Sequence, residues 1–406
     1  MLSRRNFLKL GGAGAVVVMA GSTVPMFIPQ AFASGQPGAS LSNGSQALVI
    51  VELQGGNDGL NTVIPFSDAQ YYKLRPTLAM QPSSVLKLNN NVGLHPSMTG
   101  LQGLYNDGKL AIVQGVCYPN PSLSHFEASD IWQSAQPSLK GGRSGWLARS
   151  PDAQPVAASL TGDVPMTLYS QTTLVPSISS LSDFNFRSDN YYDETDGAAR
   201  LKLLRSIYQY TEQNPMADYV RSSALDALAT TDALQQAAKD FKAASGYPAD
   251  SELASQLANV VQLLVSGLTF RVFYVRITGF DTHANQADAQ AGLLKDLSDS
   301  LTAFYSDLRT RGLADDVTVL SFSEFGRRAA ENGSGTDHGT SQPMFVLGGK
   351  VKGGLYGSYP SLSDLDDDNL KFSTDFRSVY ATVLEKWLKL PATSILGQTW
   401  SQLNLF

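Results

Sequence analysis

Two hydrophobic rhythms alternate along the chain. Residues 47–53, Ala-Leu-Val-Ile-Val-Glu-Leu, are almost wholly apolar and end at Gly55-Gly56. A short run of this kind reads as a strand buried on both faces, as in a parallel sheet. Similar runs occupy residues 110–113, 270–277, 317–322 and 344–347. The second rhythm is helical. Leu293, Leu294, Leu297, Leu301 and Phe304 recur at three- and four-residue spacing within 287–309. Phe376, Val379, Tyr380, Val383, Leu384 and Trp387 do the same within 374–388. Each set lines one face of a helix. Strands alternating with helices predict an α/β fold, a mostly parallel central sheet sandwiched by helices.

The middle of the chain breaks the alternation. Residues 151–190 are rich in Pro, Ser and Thr, and 196–266 carry Leu and Ala at helical spacing. The expected organisation is one domain over 47–406 with a helical insertion or cap at about 151–266. The amino terminus reads as an address. Ser3-Arg4-Arg5-Asn6-Phe7-Leu8-Lys9 precedes a Gly/Ala/Val-rich stretch and Ala31-Phe32-Ala33. A basic start, a mildly apolar centre and a small-x-small end form a secretory signal over 1–33. The paired arginines make it the twin-arginine type. Gly11, Gly12, Gly14, Gly21 and Pro25 make the segment a poor spanning helix. Residues 34–46 form a flexible Gly/Ser/Gln-rich leader. The expectation is export by the twin-arginine translocase to the periplasm or beyond, with no stable membrane span after cleavage.

Composition narrows the chemistry. With 36 acidic and 30 basic residues, the formal charge is −6, which excludes a general nucleic-acid binder. The one cysteine, Cys117, excludes an internal disulfide and a cysteine-based metal site. It reads as a buried small hydrophobe. There are four His in all, so imidazole chemistry has few places to occur.

Ligands of open parallel sheets bind beyond the carboxyl ends of the strands. Here those loops hold Asn57-Asp58-Gly59, Ser124-His125-Phe126, Asp281-Thr282-His283, Ser323-Glu324-Phe325-Gly326-Arg327-Arg328 and Asp337-His338. Carboxylates and imidazoles converging from separate loops are what a divalent cation needs. Other readings stand beside that one. Asn57-Asp58-Gly59 also makes a turn, and Asp281 also suits a helix N-cap. Asp337-His338 also fits a glycine-rich surface loop. Ser124 with Glu127 matches a capping box, while a hydroxyl at a helix start is also well placed for nucleophilic attack. His125 beside it is either a packed side chain or part of the catalytic set. Arg327 and Arg328 either bind an anion or are solvated. His95, before a proline, reads as structural.

These motifs together resemble the DUF1501 family. The resemblance rests on 51–62, Val-Glu-Leu-Gln-Gly-Gly-Asn-Asp-Gly-Leu-Asn-Thr, and on Ser-His-Phe (124–126) and Asp-Thr-His (281–283). It rests also on Ser-Glu-Phe-Gly-Arg (323–327) and Gly-Thr-Asp-His-Gly-Thr (335–340). It runs from about residue 47 to the end of the chain. The family is similar in fold to the alkaline phosphatase/sulfatase superfamily. That likeness implies divalent metal ligands at Asp58, Asp281, His283, Glu324 and His338, with a nucleophile at Ser124. Phe325 stands where the superfamily pattern has a histidine, which implies a single-cation site with Asp337 as a substitute ligand.

The function expected is a metal-dependent hydrolase of phosphate or sulfate esters. Its cation could be Zn, Mn, Ca or Mg. Ser124, His125 and Arg327 form the expected catalytic set, and Asn57 and Arg327 hold the anion. The substrate is a small anionic ester or a sulfated or phosphorylated polymer. The alternative is a non-catalytic cation-binding or assembly module on the same fold. A redox protein is a third reading, but no dinucleotide-binding glycine fingerprint follows the first strand.

Overall fold

The computed structural model describes residues 46–137, 144–149, 157–170, 175–179, 194–209, 215–239 and 241–406. The expected signal at 1–33, and the leader apart from Gln46, lie outside the described residues. The central sheet has eight strands. They are β1 (Ala47–Leu53), β2 (Leu110–Cys117), β3 (Ala157–Ser159), β4 (Val272–Ile277), β5 (Val317–Phe322), β6 (Gln342–Gly348), β7 (Gly354–Tyr356) and β8 (Thr374–Asp375). Their order is β7-β2-β6-β5-β1-β4-β3, with β8 also paired to β2. β1 lies between β4 and β5 and is parallel to both, Ile50 facing Tyr274 on one side and Leu320 on the other. β6 is antiparallel to both of its neighbours, β5 and β2. Within the segment expected as a cap, β3 adds a parallel edge strand beside β4.

The alternation of side chains along β1 divides the core. Val49, Val51 and Leu53 face one helical layer, and Leu48 and Ile50 face the other. The first layer is built by α1 (Thr99–Asn106), α5 (Glu252–Val265) and α6 (Gln286–Thr310). The second is built by α2 (His125–Ser134) and α7 (Phe376–Thr382). Two further helices, α3 (Glu194–Tyr208) and α4 (Pro215–Lys239), precede α5. Helices on both faces explain why the strands read as apolar runs and not as alternating patterns. Leu294, Leu297, Leu301 and Phe304 on α6 are fully buried, and each such side chain stabilises the fold by roughly 1.5–3 kcal/mol. The polar residue inside β1, Glu52, is buried in an ion pair with Arg276 of β4 and accepts a hydrogen bond from Gln133 of α2. Burial pushes its carboxyl up, and Arg276 opposes that.

Candidate metal centre

The direction of the strands gathers the site. β1, β4 and β5 run parallel, so Gly55, Asp281 and Glu324 leave the sheet at one edge. β2 runs the same way and leads toward His125. β6 is reversed, so its beginning lies at that edge and brings His338, just upstream of Gln342, to the same place. His338 and Gly339 also pair with Gly326 and Arg327, which pins His338 to the segment following Glu324.

Three imidazoles and one carboxylate meet there. The Nε2 atoms of His283 and His338 are 2.9 Å apart. Each lies near Asp281 Oδ1, at 3.1 Å and 3.2 Å respectively. His125 Nε2 lies 3.4 Å from Asp281 Oδ2. The other ring nitrogens are all engaged by acceptors. His125 Nδ1 is 2.9 Å from Glu324 Oε1, His283 Nδ1 is 3.3 Å from Asp337 Oδ1, and His338 Nδ1 is 2.8 Å from the Leu123 carbonyl. A carbonyl or carboxylate oxygen only accepts, so a neutral ring with its proton at Nδ1 presents a lone pair at Nε2, toward the Asp281 carboxylate, and only a cation or a proton between them satisfies both. Two lone pairs 2.9 Å apart repel unless a proton or cation lies between them.

The spacing and the partners fit a cation. Ligand atoms of His125, Asp281 and His338 all lie within 4.8 Å of one another, and donors about 2.0–2.1 Å from a tetrahedral Zn²⁺ sit roughly 3.3 Å apart. Metal-bound histidines characteristically donate the other N–H to a carboxylate or carbonyl, which is the pattern of all three rings. Side-chain exposure is 34% for His125, 44% for His283, 22% for His338 and 47% for Asp281. The cluster therefore opens to solvent on one side. Partial burial alone would push the Asp281 carboxyl up. The Arg327 hydrogen bond and charge, with the His338 and His125 rings beside the carboxylate, outweigh it and hold the group at about 2. Asp337 is also held below its ordinary value, first by the Asn332 amide, against slight burial, and then by His283.

Several expected residues have other tasks. Asp58 is buried and does not join the cluster. Its carboxylate is taken by Arg75, by the Gln286 amide and by the Leu60 N–H. Glu324, also buried, receives the Gly55 N–H and orients His125. Asp337 orients His283. Neither Glu324 nor Asp337 stands among the converging donors. Asn57 is buried and accepts from the Thr62 hydroxyl. Arg327 is buried too, and it spends its donors on the Gly55, Gly56, Phe280 and Thr336 carbonyls and on Asp281. Its Nη1 also lies 3.5 Å from His283 Nε2. Arg327, with its donors spent, is not free to hold an anion and ties the loops together, while Asn57 is withdrawn from the open face by burial.

Ser124 stands at the N-cap of α2 and is exposed, but its side chain makes no cap hydrogen bond. The Glu127 carboxylate accepts instead from Ser122, so the expected capping box does not form. Nor is Asp281 an N-cap. Asn285 takes that position ahead of α6, in left-handed backbone. Sequence reasoning placed His125 beside the nucleophile and missed that its Nε2 faces Asp281. The available signal was its place in a strand-end loop among so few histidines. Phe325, where a histidine was looked for, packs its ring at 4.8 Å from His125 and 4.5 Å from His338. It buttresses the imidazoles and ligates nothing. The neighbouring Phe126 ring is 88% exposed.

The model of the family described as "Protein of unknown function (DUF1501)" matches residues 45–388. No curated protein matches the chain. Among solved structures, the chain is similar to a protein in the alkaline phosphatase superfamily from Vibrio parahaemolyticus. The identity is 9%, with 88% of this chain and 70% of that one covered and a TM-score of 0.37. It is also similar to the C-terminal periplasmic domain of EcEptC from Escherichia coli, at 8% identity, 89% and 88% coverage and a TM-score of 0.38. A third likeness is to the PsFucS1 sulfatase from Pseudoalteromonas sp., at 11% identity, 90% and 73% coverage and a TM-score of 0.38.

Proposed function

The chain belongs to the DUF1501 family, and from that premise we propose that it is an exported, metal-dependent hydrolase of phosphate or sulfate esters with a single cation centre. The carrying observation is the convergence of the three Nε2 atoms on Asp281 while every Nδ1 is held by an acceptor. His125, His283 and His338 would hold the cation through Nε2, and Asp281 through its carboxylate. Three nitrogens and one oxygen favour Zn or another transition ion over Ca or Mg, which prefer oxygen. A bound cation supplies a Lewis acid that polarises the ester and lowers the pKa of a nearby hydroxyl.

Ser124 is the proposed nucleophile. It lies between Leu123, whose carbonyl orients His338, and His125, and its side chain is not spent on a cap. As the Ser124 Oγ bonds to phosphorus or sulfur, the ester oxygen leaves as the alcohol. Water then cleaves the serine ester and restores the hydroxyl. The free N–H groups at the start of α2 favour the negative charge that develops there. Export by the twin-arginine route to the periplasm or beyond rests on the Arg4-Arg5 segment. Among the described residues, no helix is long and apolar enough to cross a membrane.

The test is elemental analysis of the purified chain with a panel of aryl phosphate monoesters, phosphodiesters and sulfates. About one equivalent of transition cation is expected, with hydrolysis of at least one panel member. Ser124→Ala should keep the cation and lose the hydrolysis, whereas His338→Ala should lose both. A metal-replete chain inert on the whole panel would leave the second reading, a cation-binding module without catalysis. Burial of Asn57 and Arg327, the groups expected to grip the anion, favours that reading.

A further inference from the structure

We infer that Gln286 and Thr336 are positioning residues of the cation centre and set its affinity without touching the cation. This rests on reading the His/Asp cluster as a cation site. Gln286 opens α6, just past Asp281 and His283. Its backbone N–H donates 2.9 Å to the Ser334 carbonyl. Its side-chain oxygen accepts 2.6 Å from the Thr336 hydroxyl. Thr336 immediately precedes Asp337 and His338, and its carbonyl accepts from Arg327 at 2.9 Å. Gln286 therefore ties the loop carrying two donors, Asp281 and His283, to the segment carrying the third donor and the carboxylate that orients His283.

The tie is anchored from below. The Gln286 amide donates to Asp58 and, at 3.1 Å, to Gln290. Asp58 is paired with Arg75, which donates 3.0 Å to the Ala329 carbonyl and 2.9 Å to the Arg328 carbonyl. Asp58, Arg75, Gln286, Gln290 and Thr336 are all nearly inaccessible to solvent. The polar network fixes both ends of the 328–336 segment. Water cannot replace a lost member at no cost, so its geometry is strongly specified. Asp58, expected as a ligand, thus acts through Gln286.

Partners behind a metal's ligands typically change affinity by 10- to 100-fold when removed. The test compares wild type, Thr336→Val, Thr336→Ser and Gln286→Met in the full chain. The dissociation constant for Co²⁺ or Zn²⁺ and the visible spectrum of the Co²⁺ form are read beside the melting temperature of the metal-free protein. Thr336→Val and Gln286→Met are expected to weaken binding by about tenfold or more and to alter the Co²⁺ spectrum. Thr336→Ser, which keeps the hydroxyl, should restore both. A variant that melts earlier yet binds the cation like wild type, with the same spectrum, overturns the inference. If wild type itself takes up no cation, the metal-centre reading fails first and takes this inference with it.

Discussion

His95 shows how one side chain is fixed by its surroundings. It is buried, and its Nδ1 accepts 3.1 Å from the Ser97 N–H, which requires the neutral ring with its proton on Nε2. Burial holds the imidazole down, against the Asp58 charge, to about 4 from an ordinary 6.5. A lowered histidine is neutral in both states above pH 6.5, so it costs nothing there. As pH falls toward 4, the unfolded chain takes up a proton that the folded chain refuses. Stability is lost through that window, by up to roughly 3 kcal/mol. Urea unfolding of wild type and His95→Gln between pH 7 and 4 should show a shallower acid loss in the variant; parallel curves would refute the assignment. The residue scale also shows where sequence reasoning stops. Loop position and residue type marked Asp281, His283 and His338 as residues that could meet. They did not show that Asp58 would be claimed by Arg75, because nothing in the spacing announces a buried guanidinium.

At the scale of elements, the loops after the strands are as constrained as the strands. Gly55 has φ +122, and a Cβ there would lie 2.3 Å from the Asp281 backbone nitrogen. Gly56 has φ +82, and a Cβ there would strike the Phe325 ring at 2.3 Å. The first loop can approach the others only because these two positions lack side chains. Gly55→Ala should cost about 1–3 kcal/mol in backbone strain alone, with a further loss from displacing Asp281. Melting temperature and cation affinity should fall together; retention of both would show that the loop can yield. The central strands and α6 were legible because their hydrophobic periods are long and regular. The short edge strands β3, β7 and β8 were not, since two or three residues carry no period. The direction of β6 was hidden as well, because an apolar run reads the same both ways.

For the whole molecule, the proposed cation centre ties binding to folding. A cation that binds the folded chain alone stabilises it by about 2.7 kcal/mol at a hundred times its dissociation constant. The unfolding midpoint of wild type should therefore climb as Zn²⁺ is added, while that of His338→Ala should stay level. Equal responses would place the cation elsewhere. The α/β sandwich followed from alternating rhythms that span the chain. The assembled site did not, because it depends on which edge each loop leaves from.

The reversed strand has a kinetic consequence. Leu123 and His338 meet across 215 positions of sequence, and they do so only once β6 has inserted between β2 and β5. Such distant pairings close slowly and late. A nascent chain offers an ion only scattered donors, with its full grip reserved for the finished sheet. On the proposed reading, capture of the ion would therefore come at the end of folding and would not seed it.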